Sequence, residues 1–402
     1  MADSRRHAVG RFRWWLIAGA ATGAIVAVAA VTLGVITLIV ARTVVTPPRR
    51  RNEDTRVISV DIDAGTITLR ATDESLLVGD YSFWFSGGAG HARLGEILRH
   101  TGNSVARRLI AVDFGDLARA RRGRFSGWFY LSPRDLGSAY QNVSIDTELG
   151  AAPAWLVPAA EPSTRWVIQV HGRAARRSET LRAVPVFRDA GYTSLLISYR
   201  NDEDAPASPD GRYGLGDTEW RDVDAALQFA IDHGAEDVVL MGWSMGGATV
   251  LQSLTRSELA GVVRGVVLDS PVVDWVTAIR YQGELLGLPG PIRSGVLSLI
   301  GMKWAGLLTG QRTPIDLPRL DFVRRSGELR VPILLMHSDD DGFVPATASR
   351  ALAAARPDIV TYEVFTGAAH AKLWNYDRDR WNAAIGEWLT GIPVGDASFT
   401  RR

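Results

Sequence analysis

The chain has 402 residues, 46% of them apolar and 22% charged. That is enough apolar material for a core, too little charge for a disordered chain, and more length than one ordinary domain of ~100–200 residues requires. Nine arginines against Asp3, Glu53 and Asp54 crowd into residues 1–56 of a chain whose formal charge is only +1, so the remaining body is mildly acidic and lacks the concentrated basic face of a nucleic-acid binder.

In chain order, a basic tail (1–13) precedes Trp14–Ala41, which carries no charge and is bracketed by Arg13 and Arg42. As a helix this stretch is ample for a ~30 Å hydrocarbon core, and it is longer than the ~7–15-residue apolar region of a cleaved signal peptide. Trp14 and Trp15 sit where an interfacial aromatic belt would. We read residues 14–41 as a single-pass transmembrane helix in the cell membrane. The flanking arginines are balanced, so orientation rests on the ease of keeping a short tail inside, which puts the body on the extracytoplasmic side. Residues 42–56, with Pro47-Pro48, read as a stiff exposed linker.

Residues 57–140 read as a small β-rich module: Thr66–Ala71, Tyr81–Phe85, Val105–Asp113 and Phe125–Leu131 are short strand-like runs bounded by turn formers. From 141 to 392 apolar strands alternate with helices, as in a doubly wound, mostly parallel sheet. The strands are expected at Trp166–Val170, Thr193–Ser198, Val238–Met241, Val262–Leu268, Pro332–Met336 and Val360–Phe365, with Asp217 capping a helix along Trp220, Val223, Leu227 and Ile231. Residues 272–330 interrupt this pattern as a helical cap, in which Ser294–Leu308 is apolar nearly all round. Residues 393–402 form a tail.

One string carries chemistry. Gly242-Trp243-Ser244-Met245-Gly246 is a G-x-S-x-G elbow between a buried strand and a helix starting near Met245, which leaves the serine at a helix N-terminus that favours developing negative charge. In a site of this kind the base and acid follow the serine in the chain. Only His337 and His370 do so. His370 lies in a loop of small residues, Gly367-Ala368-Ala369-His370, and is the expected base; His337, at a strand end, is expected to be a hydrogen-bonded structural residue. Asp341, which begins Asp341-Gly342-Phe343-Val344-Pro345, is the preferred acid, with Asp269 and Asp339 as alternatives.

His171-Gly172, the elbow at 242–247, the run at 341–345 and His370 together make residues 145–392 resemble the α/β-hydrolase fold superfamily. The resemblance implies a Ser244–His370–Asp341 triad, with an oxyanion hole from the backbone N–H groups of Met245 and Arg173. Ser338 stands where that family usually has glycine. No cofactor or metal is implied: there is no P-loop, no HExxH and no cysteine. The expected activity is hydrolysis of a small-molecule carboxylic ester, including lipid esters and thioesters, under a greasy cap. A serine peptidase of the prolyl-aminopeptidase type and a silent membrane-anchored binding protein are the alternatives. Arg173, Arg176 and Arg177 are expected to be solvated loop charges, or else to meet an anionic head group.

Overall fold

The computed structural model describes residues 27–48, 51–202 and 204–392. The expected basic tail, the first half of the expected span, Arg49-Arg50 and the C-terminal tail lie outside the described residues. A first helix, α1 (Ala27–Val45), is long and apolar enough to cross a membrane.

Six antiparallel strands then close into a barrel in the order β1-β2-β5-β4-β3-β6. They are β1 (Thr55–Asp61), β2 (Thr66–Arg70), β3 (Tyr81–Phe85), β4 (Gly90–Thr101), β5 (Ser104–Phe114) and β6 (Arg122–Ser126). Alternate residues such as Ile67, Leu69, Phe83, Phe85 and Leu94 fill its interior. Closure depends on β1 pairing with β6, so the barrel has no open edge there. Arg107 is buried in it, its guanidinium donating to the carbonyls of Gly95, Ser75, Leu77 and Gly79 and thereby strapping the 75–79 loop to the barrel.

The second body is an eight-stranded sheet in the order β14-β13-β12-β11-β9-β10-β8-β7. Its strands are β7 (Gln141–Thr147), β8 (Gly150–Val157), β9 (Arg165–Val170), β10 (Thr193–Ile197), β11 (Asp237–Trp243), β12 (Val263–Asp269), β13 (Ile333–Ser338) and β14 (Val360–Phe365). The six from β9 onward run parallel, and β7 and β8 are antiparallel additions. The helices are α2 (Val184–Asp189), α3 (Trp220–Asp232), α4 (Met245–Arg256), α5 (Trp275–Leu285), α6 (Gly290–Gly301), α7 (Gly306–Thr309), α8 (Thr347–Ala355), α9 (Leu373–Tyr376) and α10 (Arg378–Thr390).

Both faces of the central strands β9 to β13 are buried, which is why these strands are mostly apolar. In β11, Val238 and Leu240 join the core under α3 and α4, whereas Val239, Met241 and Trp243 join the one under α2 and α10. Three expectations are corrected. The apolar 294–308 stretch is not one helix: it breaks after Gly301, where the chain turns through Lys303–Ala305 and restarts as α7. Asp217 does not cap α3; it pairs with Arg256 and accepts the Asp316 N–H. Residues 42–46 are no free linker, because α1 continues to Val45 and its last turn is docked, with Ala41 and Val45 wholly buried.

The barrel sits against the loop that follows β14. Asn375 Nδ2 donates to the carbonyls of Asp80 (2.7 Å) and Gly127 (3.2 Å), Asp80 N–H returns a bond to the Asn375 carbonyl, and Arg378 and Lys372 pair with Asp80 and Glu74. Gly79 makes this approach possible. Its φ is +108°, and a Cβ there would lie 1.9 Å from the Asn375 carbonyl oxygen.

Candidate active site

Position 244 is set by the backbone. Ser244 has φ 50° and ψ −115°, a conformation that costs a non-glycine residue about 1–3 kcal/mol and must be held by its surroundings. Here its N–H donates to the Asp269 carbonyl (3.1 Å), and its own carbonyl accepts from Val272 N–H and Gly247 N–H (both 3.0 Å). The flanking glycines are sterically required: a Cβ on Gly242 would lie 2.5 Å from the backbone of Gly246, and one on Gly246 would lie 2.2 Å from the Val170 carbonyl oxygen. The serine hydroxyl is thus lifted above the C-terminal edge of the sheet at the start of α4.

The structure brings three of the expected side chains into one chain of hydrogen bonds. Ser244 Oγ is 2.8 Å from His370 Nε2, and His370 Nδ1 is 2.7 Å from Asp341 Oδ2. The other carboxylate oxygen of Asp341 accepts the N–H groups of Phe343 and Val344, each at 2.8 Å, so the run after the strand builds a cradle for it. Burial raises the Asp341 pKa, but the adjacent His370 charge and the bonds from His337 and His370 outweigh it and hold the carboxyl well below the usual carboxylate range. For His370 burial disfavours the cation, yet attraction to Asp341 and the hydrogen bond to it prevail, and the net pKa is raised above 6.5.

The alternative acids have other partners. Asp269 is fully buried and accepts from Trp381 Nε1 and Ser270 Oγ, both at 2.9 Å. Ser270 Oγ in turn accepts the Ala371 N–H at 3.1 Å, so Asp269 lies under the His370 loop and anchors it. Asp339 pairs with Arg350, and Asp340 accepts the Gly367 N–H that starts the histidine loop. His337 does more than close a strand: buried within β13, its Nε2–H lies 3.1 Å from Asp341 Oδ2 and 3.0 Å from the Val344 carbonyl, with Nδ1 facing Ser349 Oγ. The four-residue interval between His337 and Asp341 across a strand-end turn was the signal that sequence reading passed over.

On the opposite wall the chain at 172 passes directly over the serine, since a Cβ on Gly172 would lie 3.2 Å from Ser244 Cβ. Met245 follows at the first position of α4, where backbone N–H groups have no partner within the helix, and Arg173 follows Gly172. Glu179 holds this loop: its Oε2 accepts the Gly172 N–H at 2.8 Å, while Oε1 accepts Trp128 Nε1 at 3.2 Å. His171 beneath donates from Nε2 to Asp202 (2.8 Å) and from Nδ1 to the Gly172 carbonyl (2.9 Å). Burial resists charging it, but Asp202 outweighs that effect, and its pKa is raised.

The expectation of solvated loop arginines is corrected for two of the three. Arg173 is clamped on α1, with Nη2 donating to the Thr43 (2.6 Å) and Thr46 (3.1 Å) carbonyls and Nε to Val44 (3.2 Å). Arg177 bonds Ser198 and Asp204 and lies over the Trp155 ring. Sequence reading missed Glu74, Glu179, Arg182 and Asn375, which come from segments with no motif. Arg182 joins the Ala371 carbonyl (2.9 Å) to Asn375 Oδ1 (2.8 Å), bracing the turn after His370.

The crevice over Ser244 and His370 encloses about 430 Å³. Among the described residues no group of three or more His, Asp or Glu is arranged to hold a metal ion.

Comparison with known proteins bears on both bodies. Residues 56–126 match a domain of unknown function, DUF8805. The uncharacterized protein YfhR of Escherichia coli (strain K12) is 25% identical over 127 residues, 31% of this chain, and the match spans only 44% of that relative's length. The Pyrococcus furiosus esterase Pf2001 superposes with a TM-score of 0.51 at 19% identity, over 65% of this chain and 94% of that one, which is a likeness of fold. Est1E of Butyrivibrio proteoclasticus, solved with ferulic acid, gives a TM-score of 0.49 at 17% identity over 62% of this chain and 98% of its own. The alpha/beta hydrolase family profile matches residues 167–384, more than half the sequence, from within β9 through the loop that carries His370 into α10, and the chain belongs to that family.

Proposed function

We propose that the protein is a membrane-anchored serine hydrolase that cleaves carboxylic esters through an acyl-enzyme, with Ser244 as nucleophile, His370 as general base and acid, and Asp341 as the group that orients and stabilises the imidazolium. The observation that carries this reading is the continuous run of bonds from Ser244 Oγ through both nitrogens of His370 to Asp341. His370 Nε2 takes the hydroxyl proton as Oγ bonds to the substrate carbonyl carbon. The carbonyl oxygen becomes an oxyanion beside the N–H groups of Met245 and Arg173; one such donor is worth about 3–4 kcal/mol of barrier. Collapse breaks the carbon–oxygen ester bond, and His370 returns the proton to the departing alcohol. Water then attacks the acyl-enzyme in the same way, releasing the acid and restoring Ser244.

The apolar cap favours an ester over an aminoacyl substrate, because the two acids on the crevice wall are already engaged, Glu179 by the Gly172 N–H and by Trp128, and Glu74 by Lys372, and do not stand ready for a free ammonium. The length and hydropathy of α1, together with its uncharged N-terminal extension, support a single-pass anchor in the cell membrane. The test is labelling by a fluorophosphonate alongside p-nitrophenyl esters and aminoacyl-naphthylamides. Ser244→Ala is expected to abolish labelling and lower ester turnover by on the order of 10⁶-fold while the fold survives. Undiminished labelling of that variant, or turnover of the naphthylamides alone, overturns the reading.

A further inference from the structure

Beside the catalytic crevice lies a second cavity of about 390 Å³, predominantly apolar, walled by Val40 and Val44 of α1, Trp275 and Ile279 of α5, Val296 of α6 and Val344, with Gln282 and Arg293 as its polar margin. Arg173 and Phe343 border both spaces, and the Phe343 ring is 5.1 Å from that of His370, so the cavity lies directly against the catalytic crevice. One of its walls is therefore the helix that sequence reading treats as a mere tether.

That wall is built in. The last-turn carbonyls of a helix have no partner within it. In α1 those of Thr43, Val44 and Thr46 just beyond accept from Arg173, and that of Val45 accepts the Tyr213 N–H at 2.8 Å. Arg42 Nε donates to the Leu308 carbonyl at 2.7 Å, and Thr37 packs against Gly295 so closely that a Cβ on the glycine would lie 2.8 Å from it. Catalytic loop and cap both grip the helix. Its outer face, by contrast, leaves Val31, Val35 and Ile39 exposed, and on the neighbouring cap Trp304 and Leu307 are exposed as well, Leu307 to 94%. Exposed apolar side chains in this number on neighbouring elements mark an apolar partner.

We propose that α1 is a structural wall of an acyl-chain pocket, so that the substrates are esters of long acyl chains whose tails lie between α1 and α5 while the carbonyl sits at Ser244. This rests on the serine-hydrolase reading above. Most of the wall offers a polar tail no hydrogen-bond partner in exchange for its water, whereas each methylene placed there leaves water.

The test uses the full chain in lipid vesicles. Wild type is given p-nitrophenyl acetate, octanoate and dodecanoate, supplied either within its own vesicles or from the aqueous phase on serum albumin, the two arms separating bilayer from aqueous delivery. In at least one arm kcat/KM is expected to rise at least tenfold from acetate to dodecanoate. Val44→Trp is expected to lower the dodecanoate-to-acetate ratio at least tenfold, while Val31→Trp, on the exposed face, leaves it unchanged. A flat profile in both arms, or an unchanged ratio in Val44→Trp, overturns the pocket while leaving the hydrolase reading intact. A binding readout that needs no turnover separates the two: a long-chain fatty acid with a tail diazirine is expected to cross-link at 40–44 and on α5. Adducts confined to the exposed face at 27–35 overturn the proposal even if no ester is cleaved.

Discussion

His337 and His370 donate to the same oxygen of Asp341: Oδ2 lies 3.1 Å from His337 Nε2 and 2.7 Å from His370 Nδ1. One imidazole faces the serine and the other is buried in β13, so the carboxylate is fixed from behind by a group that never meets substrate. A hydrogen bond to a charged group is worth about 1.5–3 kcal/mol. Replacing His337 by Phe is therefore expected to lower kcat by about ten- to a hundredfold with little change in KM, and steady-state kinetics on a short ester measure it. His337→Gln, which keeps a donor, is expected to recover much of the loss.

The pH dependence follows from the sign of the His370 shift. Protonated His370 cannot accept the serine proton, and its pKa is raised above 6.5 because Asp341 favours the cation more than burial opposes it. Ester kcat/KM should thus rise with pH, with its midpoint above 6.5. In Asp341→Asn the stabilising charge is gone while burial remains, so the midpoint should fall, alongside a loss of about ten-thousand-fold in kcat. A midpoint that stays put in the variant counts against Asp341 as the orienting acid.

Asp269→Asn separates the two buried acids. Asp269 takes its bonds from Trp381 and Ser270, below the His370 loop. The substitution is expected to lower Tm by several degrees, as for a buried hydrogen bond of about 1–3 kcal/mol, with far less effect on kcat than Asp341→Asn.

Gly79→Ala tests the seat between barrel and hydrolase body. The added methyl meets the Asn375 backbone at 1.9 Å, and φ +108° is itself unfavourable for alanine. Strain of about 1–3 kcal/mol is expected, and the barrel must shift to relieve it. Asn375 also accepts from Arg182, which holds the Ala371 carbonyl, so kcat is expected to drop as well. Thermal unfolding and limited proteolysis after residue 126 report the first effect and ester kinetics the second.

Legibility in the sequence followed burial. The parallel strands β9 to β13 are mostly apolar because helices cover both faces, and their runs stand out without alignment. The elbow was legible for a steric reason, since Gly242 and Gly246 have no room for a side chain. Strand β8 was hidden by Pro153, which lacks an N–H and breaks the expected pattern, and β4 by register shifts that disturb its alternation. Closure of the barrel by β1 and β6 is long-range and leaves no local mark. The same holds for Glu179 and Asn375, whose importance lies in what they touch. The break of the cap helix at Gly301 had a local sign, a glycine where the apolar pattern runs on unbroken.

Arg173 ties together two things usually thought separable. Its peptide belongs to the loop above Ser244, and its guanidinium is spent on the end of the first helix. Trimming the protein at residue 46 to obtain a convenient soluble fragment would strip partners from a half-buried cation and unroof one side of the neighbouring cavity. The first helix of this hydrolase is accordingly not a leash that any other hydrophobic segment could replace, since the loop at 172–173 and the cap are both fastened to it.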